Sequence, residues 1–290
     1  MTTYTESELI LNPDGSIFHL RLFPEQISDN IILVGDPGRV ALVGQFLDRV
    51  EKLASNREFI SLSGYYHNTK ITVLSTGIGT DNIDIVVNEL DALANINLDL
   101  RKDNPAMRRL NLIRIGTSGS LQPDLPPGTA VASAWSVGLD GLMKYYFRAP
   151  DPERELFEYA FMESVNWPVQ LPQPYAARAS ARLLSKVESF CTTGITIAAH
   201  GFYGPQGRQL RAMLAIPDLN ARLQSFQFGD LRTTNFEMES SALYGLAQLL
   251  NHEALTVCLI IANRMTGNFL GDYSSAMNDL IYNTLNSITR

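Results

Sequence analysis

Two glycine-rich segments that carry an arginine are associated with apolar runs of the sequence. The turn GDPGR, from Gly35 to Arg39, follows Ile31–Val34 directly, and Arg114 stands inside the run LIRI, just before GTSGS. Glycine lets the backbone approach a ligand closely, and amides beside a guanidinium suit a phosphate group. For Arg39 alone, an ordinary turn with a surface arginine is the simpler interpretation. A buried arginine needs an acidic partner or an anionic ligand, so Arg114 indicates either a structural ion pair with a glutamate or an anion site.

Two further segments carry side chains that suit a sugar and a planar ring. The string NFEMES places Glu237 and Glu239 at the predicted start of an apolar helix. Residues two apart on a helix face different ways, so one carboxylate can cap the helix while the other binds a pair of hydroxyls, although spacing alone favours capping for both. In GFYGPQGR, Phe202 stands near Gln206 and Arg208, a combination that suits a ring with adjacent N–H and carbonyl groups. A mobile surface loop is the alternative for that segment.

These segments adjoin predicted elements of an alternating α/β pattern. Strands are predicted at residues 31–34, 71–74, 112–115 and 255–262, and helices at residues 84–96 and 237–250. Continuous apolar strands are buried on both faces, and the helical segments repeat apolar residues at helical spacing. The alternation predicts a single α/β domain with a mainly parallel sheet, whose ligands bind beyond the carboxyl ends of the strands. A small-molecule site is therefore expected at the glycine turns.

Composition excludes several classes of protein. The 290 residues carry a net charge of −7, with 45% hydrophobic and 18% charged residues, which predicts a globular protein and disfavours non-specific nucleic-acid binding. The four histidines and two cysteines show no metal-ligand or disulfide spacing, so we expect no metal and a reducing compartment. Without a signal-peptide pattern or a long apolar run, a cytoplasmic protein with no membrane partner is expected. Neither a Gly-x-Ser-x-Gly elbow nor a dinucleotide fingerprint occurs.

Eight strings of the sequence, taken in order, resemble the uridine phosphorylases of the nucleoside phosphorylase superfamily (family I). They are FHLRL, GDPGRV, REF, STGIG, RIGTSG, FYGPQGR, NFEMES and ANR, spread from about residue 17 to residue 264. The resemblance implies one nucleoside phosphorylase domain over residues 1–290, with residues 1–16 as an N-terminal extension. It implies a central mixed β-sheet that is partly closed into a barrel and flanked by helices. It also implies a homodimer as the minimal active unit, with a hexamer as a larger assembly.

The resemblance assigns a role to each matching residue. Phosphate would contact Gly35, Arg39, Arg114, Thr117 and, from the neighbouring subunit, Arg57. Ribose would contact Thr117, Met238, Glu239 and, across the dimer interface, His19. The base would contact Phe202, Gln206, Arg208, Ile261 and Arg264. Catalysis would depend chiefly on Arg114, Gln206 and Arg208.

One difference from purine-cleaving relatives favours a pyrimidine. Those relatives carry an aspartate near the end of the last long strand, where this chain has Asn263 and Arg264. Uracil can leave as a delocalised anion, so donors from Gln206 and Arg208 can replace a proton donor. The implied reaction is reversible phosphorolysis of uridine to uracil and ribose 1-phosphate, catalysed by a pentosyltransferase of salvage or catabolism. The alternatives are a broader pyrimidine or purine nucleoside phosphorylase, a nucleosidase of the same fold, and a non-catalytic sensor of nucleoside or phosphate.

No cofactor is implied, since inorganic phosphate is a co-substrate. Some relatives bind potassium at the dimer interface through a glutamate, here Glu58, and a serine, where this chain has Asn82. That substitution argues against the ion. In the base loop, GPQ reverses the usual proline–glycine order, and Asn56 replaces a common histidine. Residues 98–111 are longer and more charged than in typical relatives, which argues against a hexamer.

Overall fold

The computed structural model describes residues 3–289, and these residues form thirteen strands and seven α-helices. The strands are β1 (Asn30–Val34), β2 (Asp48–Asn56), β3 (Phe59–Tyr66), β4 (Thr69–Ser75), β5 (Ile96–Asn97), β6 (Lys102–Asp103), β7 (Asn111–Ser120), β8 (Ala130–Gly138), β9 (Tyr175–Arg178), β10 (Thr192–Ala198), β11 (Gln227–Phe228), β12 (Leu231–Glu237) and β13 (Glu253–Asn263). The α-helices are α1 (Pro37–Gly44), α2 (Thr80–Asn95), α3 (Pro152–Ser164), α4 (Ala181–Leu184), α5 (Leu219–Ser225), α6 (Ser240–Leu249) and α7 (Ser274–Ile288). Short 3₁₀ helices lie at Pro24–Gln26, Leu142–Tyr145 and Gly204–Gln206.

Eleven of these strands form one mixed sheet, part of which closes on itself. The order is β11-β12-β10-β8-β13-β7-β1-β4-β3-β2, with β9 paired to β8. Because β12 also pairs with β7, the strands β12, β10, β8, β13 and β7 form a five-stranded barrel. The predicted mixed sheet, partly closed into a barrel and flanked by helices, is therefore confirmed.

The mainly parallel sheet predicted from the apolar runs alone is wrong. The pairs β1–β4, β1–β7, β7–β13, β8–β10 and β10–β12 are parallel. The pairs β2–β3, β3–β4, β8–β9, β8–β13, β7–β12 and β11–β12 are antiparallel. Several antiparallel partners lack a continuous apolar run, and β2 exposes most of its residues. Such strands escape a search for buried runs because only strands covered on both faces are apolar throughout.

The strand β7 changes its neighbour halfway along, and this change opens the sheet. Residues 111–114 of β7 pair with β1, whereas Gly119 and Ser120 pair with β12. Between these two pairings, residues 115–118 have β13 on one side and a cleft on the other. The carboxyl ends of β1 and β12 both reach this cleft. A ligand site is expected at such a switch of neighbours in an α/β sheet.

The helices next to the cleft are held by buried apolar faces. Helix α2 buries Val86, Leu90, Leu93 and Ala94, as its sequence pattern predicts, whereas Ile85 of the same predicted face is only half-buried. Helix α6 is buried along nearly its whole length and packs against α2 and β13. Within the described part of the chain, no helix combines the length and the apolar character that a membrane span requires.

The N-terminal segment packs against the segment that follows α2. The backbone N–H of Tyr4 donates to the carbonyl of Arg101 at 2.9 Å, and Arg101 Nη1 donates to the carbonyl of Leu9 at 2.6 Å. Strands β5 and β6 form a short hairpin within this region. Residues 1 and 2 of the predicted extension lie outside the described residues.

Candidate active site

A cavity of about 780 Å³ occupies the cleft beside β7. Ten of the residues assigned from the sequence line it, namely Gly35, Arg39, Arg114, Thr117, Phe202, Gln206, Arg208, Met238, Glu239 and Ile261. They come from strand ends and loops that are far apart in the chain. The fold therefore brings the predicted phosphate, sugar and base residues to one cavity.

The first end of the cavity carries two buried arginines beside the start of a helix. Helix α1 begins at Pro37, and the Asp36 side chain caps it by accepting from the N–H of Gly38 at 2.8 Å. Arg39 lies in the first turn, is 9% exposed, and donates through Nη1 to the carbonyl of Ile115 at 3.3 Å. Burial first, and then the nearby Arg114, lower the pKa of Arg39. The interpretation of Arg39 as a surface arginine in an ordinary turn is therefore wrong.

The second arginine, Arg114, lies close to the backbone at Gly35. A methyl group added at Gly35 would lie 3.8 Å from Arg114 Nη2 and 3.4 Å from the carbonyl oxygen of Gly77. The helix terminus, the glycine backbone and two guanidinium groups thus face the same part of the cavity. Helix N-termini and arginines both favour an anion, so this end suits a phosphate group.

Arg114 is ion-paired with two glutamates of the cavity wall. It is 4% exposed, its Nη2 contacts Glu239, and its Nη1 lies 3.3 Å from Glu237 Oε2. Arg114 also donates through Nη1 to the sulfur of Cys258 at 3.6 Å. The structural ion pair considered for Arg114 is thus present, and it lies in the wall of the cavity.

The prediction that Glu237 and Glu239 belong to one helix and face apart is wrong. Glu237 is the last residue of β12, Glu239 is the N-cap of α6, and the helix begins only at Ser240. The carboxylate of Glu237 accepts from the backbone N–H groups of Glu239 and Ser240, at 2.9 and 3.0 Å. Glu237 therefore caps the helix while both carboxylates reach Arg114.

Within this ion-paired group, Arg114 stays ionised more readily than Glu239. Two buried carboxylates share one guanidinium, so keeping both ionised is costly. Burial, opposed by Arg114 and reinforced by Glu237, raises the pKa of Glu239. Burial lowers the pKa of Arg114, but the carboxylates of Glu239 and Glu237 outweigh it and hold that pKa above its ordinary value. Arg114 stays protonated, and Glu239 is the group whose charge depends on its surroundings.

The second end of the cavity is formed by the loop around Gln206. Arg208 Nη1 donates to the carbonyl of Phe202 at 2.7 Å and to Gln206 Oε1 at 2.5 Å. The guanidinium carbon lies 3.8 Å from the centroid of the Phe202 ring. Gln206 is only 3% exposed, so its side chain has a fixed place in the wall. These contacts disfavour the alternative of an incidental surface loop.

Arg264 supports this loop without lining the cavity. Its Nη2 donates to the carbonyl of Gln206 at 3.1 Å, and Asn220 Nδ2 donates to the same oxygen at 3.2 Å. Burial first, and then Arg264, lower the pKa of Arg208 to about 10, which leaves it charged at neutral pH. The sequence predicted a role for Arg264 beneath the base, and its position next to Gln206 fits that prediction.

The side-chain amide of Asn263 forms four hydrogen bonds that hold the loop after β13. Its Nδ2 donates to the carbonyls of Gln122 and Leu125 at 2.8 and 3.0 Å. Its Oδ1 accepts from the N–H groups of Met265 and Thr266 at 2.9 and 3.0 Å. The side chain is therefore occupied by backbone groups and does not line the cavity.

His19 and Arg57 do not line the cavity of their own chain. His19 Nδ1 lies 2.6 Å from Glu89 Oε1, and Asn56 Nδ2 donates to the carbonyl of His19 at 2.8 Å. Arg57 is exposed at the turn between β2 and β3. The two residues thus lie near each other at the surface, and their role in a neighbouring subunit's site stays a prediction.

Several residues of the cavity wall were not assigned a role from the sequence. They include Ile78, Phe236 and Phe269. Ser118 and Gly119 also line the cavity, and they belong to the segment after Arg114 that the sequence marks as a candidate anion site. Phe269 belongs to a loop that no motif marks, so only the fold reveals it. Among residues 3–289, no group of three His, Cys, Asp or Glu side chains is arranged to hold a metal.

Comparisons with known proteins show the family of this chain. The family model of the phosphorylase superfamily matches residues 29–280. The uridine phosphorylase of Thermococcus kodakarensis is 29% identical over 275 residues, which cover 92% of this chain and 84% of that protein. The uridine phosphorylase of Haemophilus influenzae is 30% identical over 253 residues, which cover 86% of this chain and 87% of that protein. A Trypanosoma brucei nucleoside phosphorylase, described as showing uridine phosphorylase activity, has a TM-score of 0.88 at 26% identity, over 97% of this chain and 99% of that chain. The chain belongs to the phosphorylase superfamily, which confirms the resemblance seen in the eight sequence strings.

Proposed function

We propose that this protein is a uridine phosphorylase, which converts uridine and inorganic phosphate to uracil and ribose 1-phosphate. The observation that carries the proposal is the order of groups along one cavity. Arg39 and Arg114 line it beside the start of α1, Glu239 is paired with Arg114, and Gln206 with Arg208 lines it from the loop that Arg264 connects to Gly119 of β7. A phosphate, a sugar diol and a uracil ring need these groups in this order.

In the proposed reaction, phosphate attacks C1′ of the ribose from the face opposite the base. The bond from C1′ to the base breaks, so positive charge grows on the sugar and negative charge grows on uracil. Arg39, Arg114 and the N-terminus of α1 hold the phosphate, whose own charge stabilises the cationic sugar. The carboxylate of Glu239 accepts hydrogen bonds from the 2′- and 3′-hydroxyls. No protein nucleophile is required.

The leaving group is stabilised by donors that are positioned in advance. Gln206 Oε1 is turned toward Arg208, and no oxygen among residues 3–289 accepts a hydrogen bond from Gln206 Nε2. That amide nitrogen and the remaining guanidinium N–H groups of Arg208 can both donate to the uracil edge. Donors aimed at a developing negative charge lower the barrier because they need no rearrangement during the reaction.

The proposal of a pyrimidine rests on the position of Asn263. All four hydrogen bonds of its side chain join it to backbone groups of neighbouring loops. An asparagine so occupied cannot give a proton to a purine leaving group. The uracil anion needs no such proton, and this difference favours uridine over inosine.

A nucleosidase of the same fold is the main rival. Water needs no anion site, whereas Arg39 and Arg114 are buried beside a helix terminus that favours an anion. Arg114 is paired with Glu237 and Glu239, but no carboxylate among residues 3–289 forms an ion pair with Arg39, so its buried charge calls for an anion. The phosphate co-substrate supplies that anion, so phosphorolysis is favoured over hydrolysis.

The test is release of free base from uridine, thymidine and inosine, each with and without phosphate. We expect release of uracil that depends on phosphate, with inosine inert. Release without phosphate would replace the proposal by a nucleosidase. Release of hypoxanthine at a rate similar to that of uracil would remove the argument from Asn263.

A further inference from the structure

The hydroxyl of Ser118 is a polar group of the cavity that has no role in the proposed function as described so far. Ser118 lies in β7, lines the cavity and is 6% exposed. Its Oγ is buried, and no group among residues 3–289 forms a hydrogen bond with it. A buried hydroxyl without a partner costs free energy, so such groups normally face a ligand or water.

The face of β7 on which Ser118 lies also carries Arg114. Alternate residues of a strand share a face, which places Arg114, Gly116 and Ser118 on the same side. A methyl group added at Gly116 would lie 2.2 Å from Arg114 Nη1, so the guanidinium covers Gly116, the residue between Arg114 and Ser118 on this face. Ser118 is therefore the next side chain on this face after the group that holds Glu239.

The residue after Ser118 belongs to the base end of the cavity. A methyl group added at Gly119 would lie 3.5 Å from Cδ of Arg264, and Arg264 holds the carbonyl of Gln206. Along β7, Ser118 thus stands between the residues for the sugar diol and the residues for the uracil edge. The part of a nucleoside between those two regions is the bond from C1′ to N1 and the adjacent C2 carbonyl.

We propose that the Ser118 hydroxyl donates a hydrogen bond to the base next to the breaking bond, at the C2 carbonyl oxygen. This inference rests on the proposed phosphorolysis of uridine and adds a third donor to Gln206 and Arg208. The diol already has an acceptor in Glu239, whereas the base gains negative charge that a donor stabilises. The hydrogen bond strengthens as the bond breaks, so Ser118 lowers the barrier rather than only binding the substrate.

The test compares Ser118→Ala and Ser118→Cys with the wild type. The thiol fills the space of the hydroxyl but is a weak donor, so it separates loss of the donor from loss of packing. Both variants should lower kcat for uridine by about 10- to 100-fold, the range for a hydrogen bond to a charged group. Thermal unfolding of each variant shows whether it is folded at the assay temperature.

Two substrate analogues identify the atom that Ser118 contacts. With 5-fluorouridine, whose fluorine makes the base a better leaving group, the loss in kcat should be smaller than with uridine. With 2′-deoxyuridine the loss should be as large as with uridine. Equal losses for uridine and 5-fluorouridine would overturn the inference, and a loss that vanishes with 2′-deoxyuridine would place Ser118 on the sugar instead.

Ser120→Ala is the matched control. Ser120 lies on the same face of β7, but its hydroxyl is bonded to the backbone of Gln122 at 2.9 and 3.0 Å. This variant should show the wild-type ratio of rates for uridine and 5-fluorouridine. Wild-type kcat in both Ser118 variants would overturn the inference while leaving the proposed function intact. Failure of the wild type to cleave uridine would instead reject the proposed function.

Discussion

Replacing Arg208 by alanine removes the group that organises the base end of the cavity. The guanidinium stacks on Phe202 and donates to Gln206 Oε1 at 2.5 Å. Alanine therefore removes one donor to uracil and also frees the amide of Gln206 to rotate. The backbone of the loop keeps its own hydrogen bonds, such as the one from the N–H of Arg208 to the carbonyl of Tyr203 at 2.8 Å. We expect a folded enzyme with an impaired chemical step.

The size of the loss follows from the number of donors. Removing one donor to a developing anion costs about 10²–10³ in kcat, or roughly 2.7–4 kcal/mol in the barrier. Gln206→Ala should cost a similar factor. Because the two side chains are bonded to each other, the double variant should lose less than the product of the single losses. Arg208→Lys keeps the charge, but one ammonium cannot replace the forked contacts, so it should lie between wild type and Arg208→Ala.

The assay is steady-state release of uracil from uridine at saturating phosphate. Arg211→Ala is the control because Arg211 is an exposed cation of the same loop and does not line the main cavity. It should keep kcat within about twofold, as expected for a surface change away from the site. A near-normal kcat for Arg208→Ala, or a loss equal to that of Arg211→Ala, would refute the role of Arg208.

Three further predictions concern the rest of the site. Because burial raises the pKa of Glu239, its carboxylate is lost as pH falls through that raised value, so kcat/KM for uridine should fall as the pH is lowered; a Glu239→Gln variant that keeps the same acid limb would contradict this. Asn263→Ala should lower the free energy of unfolding by about 2–6 kcal/mol in urea denaturation, because four hydrogen bonds at ~0.5–1.5 kcal/mol each are lost at a residue that is 2% exposed. A change below about 0.5 kcal/mol, the usual effect of a surface substitution, would mean that the loop is held by other contacts. If Arg57 of the partner subunit completes each site, Arg57→Ala and Arg114→Ala should each be inactive alone. When the two variants are refolded together, half of the dimers of a random mixture carry one intact site of two, so about a quarter of wild-type activity should return. No recovery on mixing would place both arginines in the same subunit's site.

The residues of the phosphate end could be predicted because their signal is local. Gly35, Arg39 and Thr117 each lie within a few residues of a buried apolar strand, and the ends of such strands meet at one edge of a sheet. Phe202, Gln206 and Arg208 are also close in sequence, so one loop brings them together. Their roles came from the family resemblance, since spacing alone favoured simpler interpretations.

Other features depend on contacts between distant segments. Glu237 and Glu239 were expected to face apart, and they converge on Arg114 because the helix begins three residues later than the string NFEMES suggests. The barrel closes through two residue pairs between β7 and β12, Gly119 with Phe236 and Ser120 with Asn235. No periodicity in the sequence of either strand predicts that pairing. The same pairing creates the cleft, so the cavity could be predicted only as a position at the strand ends.

The most direct test of the central claim is to follow uridine and inorganic phosphate with the protein by ³¹P NMR. If the protein is a phosphorylase, the phosphate signal is replaced by that of ribose 1-phosphate, with one equivalent formed for each uracil released. Arg39→Ala should slow this conversion strongly, because it removes a cation from the phosphate end. Uracil formed together with free ribose, while the phosphate signal stays unchanged, would show hydrolysis and would rule out phosphorolysis.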